Sequence, residues 1–369
     1  MEDAANRLEI TEKLEKVGLD SPRDLLTRSL ADLQRELAIK ESAANELLDA
    51  AASDVYPWRS RLSSLKSARR PEIFSTGDES LDQVLGGGVP IGSVTEVVGE
   101  SSSGKTQFCL QLSLAVQKPA VLGGIGGRSV YLHSEGRFPA TRLDQLASRF
   151  SKEYGLDADE MKRSIYTMHI PDREAQHRIL CYQLPALLEQ RKSIGVVVVD
   201  SISAHYRGLG SRDNYERMAE ISEMGSRLKK IAHQFNVAVV AVNQVADTIS
   251  KALTSQQQQQ QQIHHNSTLP PELVDNWMDF HLVGLKRSPL ALFWNSLSKK
   301  PVLGFSWANS VTTRIRLARS PMMDRMATKR ALFIETSPLV SRQGCLFEIS
   351  IDGIQGTLGS QPARNKRNG

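Results

Sequence analysis

The residues with the clearest chemical potential lie between Gly99 and Thr106, where the sequence reads Gly-Glu-Ser-Ser-Ser-Gly-Lys-Thr. Two glycines with four residues between them, followed by Lys and Thr, form the pattern of a phosphate-binding loop. In such a loop the backbone N–H groups point at phosphate oxygens, Lys105 reaches the β- and γ-phosphates and Thr106 ligates Mg²⁺. The residues predicted to bind ATP here are Gly99, Ser103, Gly104, Lys105, Thr106 and Gln107.

The segments on either side are those that such a loop requires. Residues 93–98 form a β-branched run that predicts a strand, and residues 107–116 have the period of a buried helix. The helix N-terminus adds its own affinity for anions. This strand–loop–helix order favours a nucleotide site over a chance Gly/Ser turn.

A second carboxylate follows another apolar run. Residues 194–199 read Ile-Gly-Val-Val-Val-Val, which predicts a strand buried on both faces of a parallel sheet, and Asp200 comes next. We expect Asp200 to hold Mg²⁺ through water. Ser201 then occupies the position where many helicases and transporters carry a catalytic Glu, so the general base must come from elsewhere.

Two further strand ends supply polar candidates. Glu135 lies at the end of a strand predicted to begin at Arg128, and its carboxylate could deprotonate the water that attacks the γ-phosphate. Gln244 ends a strand predicted from residue 237 and could sense the γ-phosphate. Each residue taken singly could equally be an ordinary polar residue at a strand end. Their order relative to the phosphate loop and Asp200 favours the catalytic interpretation.

The order of these motifs resembles the RecA/RadA-type strand-exchange ATPases over nearly the whole chain. The matching segments are 74–96, the phosphate loop, 131–143, 237–244 and 312–314. Residues 307–309, Trp-Ala-Asn, and the Gly-rich segment 353–359 are more similar to recombinase paralogues, in particular the X-ray repair cross-complementing type, paralogue three, and its fungal counterparts. The resemblance implies that Glu135 is the catalytic base, Gln244 the sensor and Arg142 a contact of the nucleotide base.

The resemblance also implies a fold, cofactors and partners. The expected fold is α/β, a RecA-type phosphate-loop ATPase core with a mostly parallel sheet behind a small all-α N-terminal module. The implied cofactors are ATP and Mg²⁺. The implied partners are a related recombinase paralogue in a heterodimer, the main strand-exchange recombinase and single-stranded DNA. Because catalysis in this family also uses groups of the adjacent subunit, we expect slow ATP hydrolysis by the chain alone.

Composition restricts where the protein acts. The 369 residues suffice for one large and one small domain, and no apolar run reaches the length of a membrane span. The acidic N-terminus does not look like a signal peptide. Three cysteines without paired spacing predict buried thiols, with neither disulfides nor zinc. The basic end of the tail, 357–369, favours the nucleus.

Charge is distributed unevenly between the predicted domains. Residues 1–54 contain 13 acids and 7 bases, a net charge of −6, which leaves +11 for the remainder of a chain whose total is +5. We therefore place DNA contact in the ATPase portion.

The first module is predicted to be helical, with helices over 10–17, from Pro22, over 30–37 and over 41–51. The glycine-free hairpin at 38–42 favours protein docking over DNA binding for this module.

The rest of the domain plan follows from composition. We expect a linker over 55–75, an ATPase core over 76–356 and a disordered insertion near 250–300, where residues 256–262 are all glutamine. The linker lacks the Phe-x-x-Ala anchor of the main recombinases. Tyr56 or Trp58 could replace that anchor, although Trp58 could equally pack on its own domain.

Several basic residues are candidates for DNA contact. Arg207 and Arg212 lie just beyond Asp200 in a glycine-containing segment, where the alternative is a solvated turn with incidental arginines. Other candidates flank the end of the insertion: Lys286, Arg287, Lys299 and Lys300. Farther along, Arg314, Arg316 and Arg319 are predicted to share a strand face, which is either a subunit seam or a solvated sheet surface.

Three functions remain open from the sequence. The favoured one is an ATP-binding accessory factor of recombinational DNA repair that pairs with another paralogue and supports the main recombinase filament. The second is an autonomous recombinase that forms its own filament. The third is a scaffold that binds nucleotide without turnover, which the complete set of Lys105, Thr106, Asp200 and Glu135 disfavours.

Overall fold

The computed structural model describes residues 2–19, 21–55, 72–206, 214–246, 281–282, 290–321 and 328–357. The chain divides into two compact units, Met1–Arg70 and Pro71–Gly369. None of the helices in these described ranges combines the length and the apolarity that a membrane crossing needs.

The first unit is helical, as predicted. Its helices are Glu2–Arg7, Thr11–Val17, Pro22–Leu26, Leu30–Leu37 and Glu41–Val55. Ser21 caps the third helix because its side chain accepts a hydrogen bond from the backbone of Asp24, with Pro22 in the first turn. Gly18 ends the second helix in the left-handed conformation. The apolar stripes of the helices meet in one core of leucine, isoleucine and alanine side chains.

The second unit is built on a large sheet. Its strands are β1 (Ile73–Phe74), β2 (Val89–Pro90), β3 (Val94–Gly99), β4 (Arg128–His133), β5 (Ile165–His169), β6 (Ile194–Asp200), β7 (Ala238–Ala246), β8 (His281–Leu282), β9 (Lys300–Pro301), β10 (Thr313–Arg319), β11 (Arg330–Thr336), β12 (Gln343–Ser350) and β13 (Gly353–Thr357). β1 and β2 pair with each other, and the main path of the sheet is β13-β12-β11-β10-β3-β7-β6-β4-β5. From β10 to β5 all neighbours are parallel, and β11 to β13 add an antiparallel edge.

Helices cover both faces of this sheet. The helices of the described ranges are Glu79–Leu85, Lys105–Ala115, Ala140–Tyr154, Ala158–Arg163, Arg173–Arg178, Leu184–Gln190, Asn214–Phe235, Trp294–Leu297 and Gly304–Ala308, with a π-helical segment at Ile179–Gln183. In β6, Val196 and Val198 face one core and Val197 and Val199 the other. The continuous valine run is thus a strand buried on both faces, and the predicted mostly parallel α/β fold is confirmed.

Two parts of the domain plan differ from the structure. Ile73–Phe74 lies in the predicted linker but forms β1, because Phe74 is fully buried in the core unit. The predicted disorder near 250–300 is wrong for residues 290–300, which form a helical turn, the Trp294–Leu297 helix and the start of β9. These residues are ordered because Phe293 is buried against Phe333. The glutamine run lies outside the described residues.

A buried carboxylate ties the centre of the sheet together. Glu96 in β3 is fully buried and accepts hydrogen bonds from Asn243 Nδ2 at 2.7 Å and Trp307 Nε1 at 2.8 Å on Oε1. Arg314 Nε donates to Oε2 at 2.5 Å. Burial raises the pKa of the Glu96 carboxyl, and the charge of Arg314 opposes that shift. Strands β3, β7 and β10 and the Gly304–Ala308 helix are therefore joined at one side chain.

The prediction for the three arginines of β10 is wrong in its detail. Arg314 and Arg316 do share a face, but that face is not solvated, because both pair with Glu335 and Arg316 is almost completely buried. Arg319 instead pairs with Glu100 in the phosphate loop. Internal ion pairs therefore account for these side chains within the described residues.

Removal of the buried carboxylate tests its role in the fold. We expect Glu96→Ala to lower the free energy of unfolding of the core by about 3 kcal/mol, because it leaves buried donors and the Arg314 charge without their acceptor. Glu348→Ala, an exposed Glu in β12, is the matched control and should change stability by less than about 0.5 kcal/mol. Urea unfolding followed by circular dichroism measures both. Equal losses in the two variants would contradict the assigned role.

Candidate functional site

The phosphate loop begins where β3 ends. Gly99 is the last residue of β3, and a Cβ at this position would lie 2.4 Å from the Leu317 carbonyl oxygen and 2.5 Å from Ser103 Oγ. Gly104 precedes the Lys105–Ala115 helix with a φ of 111°, a conformation that side chains disfavour. Both glycines are therefore required by the backbone, and the predicted strand–loop–helix order is confirmed.

Lys105 lies along this loop. Its side chain is largely buried and its Nζ donates to the Glu100 carbonyl oxygen at 2.7 Å. The cleft beside it has a volume of about 270 Å³ and is lined by Ser101, Ser102, Gly104, Lys105, Thr106, Gln107, Glu135, Asp200, Gln244 and Ile349. Most of the predicted catalytic and nucleotide-binding residues thus line one cleft.

Asp200 lies at the carboxyl end of β6 and faces the start of the loop helix. Its Oδ2 accepts hydrogen bonds from Thr106 Oγ1 at 2.8 Å and from the Tyr131 hydroxyl at 2.7 Å. Burial raises the pKa of Asp200, whereas these two hydrogen bonds and the Lys105 charge lower it. Thr106 and Asp200 thus bring two oxygen ligands together, which is the donor set that Mg²⁺ prefers.

Tyr131 is a site residue that the sequence reasoning missed. It lies in β4, is fully buried and pairs in register with Val198 of β6. Burial and the neighbouring Asp200 charge raise the pKa of its hydroxyl well above the usual value, so Tyr131 remains a hydrogen-bond donor. The only sequence signal was one hydroxyl-bearing aromatic residue in an apolar strand.

Glu135 and Gln244 meet at the mouth of the cleft. Gln244 Nε2 donates to Glu135 Oε1 at 2.9 Å and to Oε2 at 3.1 Å, although the residues are 109 positions apart. The backbone N–H of Gln244 donates to Ser203 Oγ at 3.0 Å. The candidate base and the candidate sensor are therefore in direct contact, and the end of β7 is also linked to the segment after Asp200.

Arg142 lies beside the loop helix. Its guanidinium donates to Gln107 Oε1 at 2.6 Å and to the carbonyl oxygens of Ser350 at 2.6 Å and Ile351 at 2.8 Å. These bonds hold the turn between β12 and β13 against the Ala140–Tyr154 helix. The predicted contact of Arg142 with a nucleotide base stays a prediction.

Glu100 brings distant cations to the phosphate loop. Its Oε2 pairs with Lys299 Nζ at 3.1 Å and its Oε1 with Arg319 Nε at 3.4 Å. Lys299, which the sequence suggested for DNA contact, is thus directed at the loop. Because its partner is far away in the sequence, no local pattern could have revealed this pair.

Six residues predicted for DNA contact or for a subunit interface are not described by the structure. Arg207, Arg212, Lys286, Arg287, Tyr56 and Trp58 all lie outside the described residues. Their roles stay predictions from the sequence.

The parallel sheet and the cleft at its carboxyl edge define a RecA-type phosphate-loop core. The chain matches the Rad51 family model over residues 69–268, more than half of its length, and it belongs to the Rad51 family. Members of this family generally bind ATP with Mg²⁺.

Three relatives show how far the similarity extends. The DNA repair protein rhp57 of Schizosaccharomyces pombe is 30% identical over 364 residues, covering 91% of this chain and 94% of its own. The DNA repair protein RAD57 of Saccharomyces cerevisiae is 38% identical over 189 residues, 50% of this chain and 41% of its own. The DNA repair protein RAD51 of the same yeast is 30% identical over 346 residues, 93% of this chain and 74% of its own.

Loss of the loop lysine should weaken nucleotide binding. We expect Lys105→Ala to weaken ATP binding by about 2 kcal/mol, because it removes the loop's side-chain cation and leaves the phosphates on backbone N–H groups alone. Lys230→Ala, an exposed Lys on the Asn214–Phe235 helix, is the matched control. Calorimetric titration with Mg-ATP measures both. An unchanged affinity in Lys105→Ala would refute the assigned site.

Proposed function

We propose that this chain is an ATP-dependent accessory factor of homologous-recombination repair. It binds ATP and Mg²⁺, pairs with a related recombinase paralogue and supports the filament of the main strand-exchange recombinase on single-stranded DNA. The observation that carries the proposal is the cleft in which Lys105, Thr106, Asp200, Glu135 and Gln244 meet, in a Rad51-family chain similar to two fungal DNA repair proteins. A role on chromosomal DNA implies the nucleus.

The cleft also supports ATP hydrolysis. Lys105 and the loop N–H groups would bind the phosphates of ATP. Thr106 and Asp200 would hold Mg²⁺, which would supply positive charge beside the phosphate oxygens. Glu135 accepts the proton of the attacking water. Gln244 holds both oxygens of Glu135 and so keeps the carboxylate oriented towards the cleft. If the hydrogen bonds between Gln244 and Glu135 change when ATP binds, the segment that follows Gln244 would move with them.

Replacement of the base should separate binding from chemistry. We expect Glu135→Gln to retain ATP and to lose hydrolysis, by at least about 100-fold, because an amide keeps the shape but cannot accept the water's proton. The assay is phosphate release by the partnered complex, with Glu189→Gln, an exposed Glu on the Leu184–Gln190 helix, as the control. If Glu135→Gln hydrolyses ATP at the parental rate, Glu135 is not the base.

DNA contact is proposed for two pairs of basic residues, one that follows Asp200 in the sequence and one near the end of the insertion. Arg207 and Arg212 lie between Asp200 and the Asn214–Phe235 helix, and Lys286 and Arg287 lie close to the end of the insertion. Such side chains would neutralise backbone phosphates without reading the sequence. Residues 1–54 carry a net negative charge and the rest of the chain a net positive one. This distribution supports DNA contact by the ATPase portion and protein contact by the first module.

Assembly is what distinguishes the accessory factor from an autonomous recombinase. The linker lacks the Phe-x-x-Ala anchor and offers Tyr56 and Trp58, one of which would bury its ring in the partner to offset the entropy of association. The relative RAD51 is similar over most of this chain, so a filament of this chain alone is the second candidate.

The pure chain with ATP and single-stranded DNA should form no long filament, and it should form a heteromer with a related paralogue. Light scattering and electron microscopy measure both, and Trp58→Ala should weaken the pairing by about 2 kcal/mol if Trp58 is the anchor. Long regular filaments of the chain alone would favour the autonomous recombinase. A chain that remains monomeric beside every related paralogue would contradict both functions.

A further inference from the structure

We propose that His177, Cys181 and Glu223 form a binding site for a single Zn²⁺ ion. The three side chains line a cavity of about 460 Å³ that is separate from the nucleotide cleft. His177 and Cys181 belong to the continuous helical segment 173–190, and Glu223 belongs to the Asn214–Phe235 helix. The ion would therefore join two helices on the same face of the sheet.

The spacing of the three ligands allows a tetrahedral ion after small side-chain adjustments. His177 and Cys181 are four residues apart on a helix, so they lie on one face. Cys181 Sγ lies 3.6 Å from His177 Nε2 and 3.7 Å from Nδ1. Zinc bond lengths to nitrogen and sulfur give a tetrahedral N–S separation of about 3.6 Å. The ligand atoms of all three residues lie within 4.8 Å of one another, so closure requires a ring rotation of His177 and a shift of the Glu223 carboxylate.

The surrounding packing holds the two helices at this spacing. Gln176 is buried, and its Nε2 donates to the Ile202 carbonyl oxygen at 3.3 Å and contacts Met224 Sδ at 2.9 Å. Ile179 and Leu180 are buried between Gln176 and Cys181. Cys181 itself lies in the π-helical segment Ile179–Gln183, a widened turn that is common at functional sites. His177 and Glu223 are thus exposed and Cys181 half-buried, beside neighbours that are packed in the core.

The donor set selects the metal. Imidazole nitrogen, thiolate sulfur and carboxylate oxygen together suit Zn²⁺ better than Mg²⁺ or Ca²⁺, which take oxygen ligands. The three side chains supply three coordination positions, and a water fills the fourth. The thiol proton of Cys181 passes to solvent when the Zn–S bond forms.

A neighbouring cation opposes the ion. Arg227 Nη2 lies 3.4 Å from Glu223 Oε1 and competes for that carboxylate. Removal of Arg227 should therefore strengthen zinc binding, whereas a variant that merely damages the fold would weaken it. Stronger zinc binding in an Arg227 variant would therefore be evidence for the site that damage to the fold cannot produce.

The first measurement is a titration of the full chain, freed of metal by chelation, with Co²⁺ as a spectroscopic probe and then Zn²⁺. One Co²⁺ should produce a thiolate-to-cobalt charge-transfer band, and one equivalent of Zn²⁺ should abolish it. Cys181→Ser should remove the band, and His177→Ala should weaken binding at least about tenfold. Absence of the band in the parent chain overturns the proposal.

The second measurement compares carboxylate and guanidinium variants by zinc competition. Glu223→Gln should weaken binding about tenfold, and Arg227→Gln should strengthen it about two- to fivefold, the range of a surface ion pair. Glu220→Gln is the matched control, because Glu220 lines the same cavity one turn away and pairs with Arg173. Equal weakening by the Glu220 and Glu223 variants, or weaker binding in Arg227→Gln, overturns the site.

Discussion

The fully buried carboxylate of Glu96 sets the geometry on which the rest of the core depends. A carboxyl group without water must receive its hydrogen bonds from the protein, and here the donors come from β7, β10 and the Gly304–Ala308 helix. Glu96 pairs in register with Arg314, and Val98 pairs with Asn243. A shift of either neighbouring strand by one residue would point its donor to the opposite face of the sheet.

The register that satisfies Glu96 also places the chemistry. Asn243 immediately precedes Gln244, so the bond from Asn243 to Glu96 sets Gln244 opposite Gly99, the first residue of the phosphate loop. The order β3, β7, β6 and β4 then brings Gly99, Gln244, Asp200 and the segment leading to Glu135 to one edge. In a parallel sheet the carboxyl ends of neighbouring strands share that edge, where ligands bind.

A second set of ion pairs connects the phosphate loop to the far part of the chain. Glu100 holds both Lys299 and Arg319, which come from the segment beside β9 and from the end of β10. β9 pairs with the end of β7, just beyond Gln244. The end of the insertion therefore touches the nucleotide site at two places, through a charge on the loop and through the strand that carries Gln244.

The sequence alone determined the features that depend on chain neighbours. The phosphate loop between Gly99 and Thr106, the doubly buried β6 and the position of Asp200 at a strand end are all local patterns. Turn geometry, helical period and strand burial are set by residues a few positions apart, so these predictions needed no tertiary information.

Only the tertiary structure decided which distant side chains meet. The bonds from Tyr131 to Asp200, from Glu100 to Lys299 and from Glu96 to Arg314 join segments widely separated in the sequence. The sequence left a subunit seam and a solvated surface open for the arginines of β10, because the pattern of one strand does not reveal the acids of its neighbours. For the same reason the three unpaired cysteines gave no sign that Cys181 lies beside His177 and Glu223. Such contacts depend on strand order and register, which arise from the packing of the whole core.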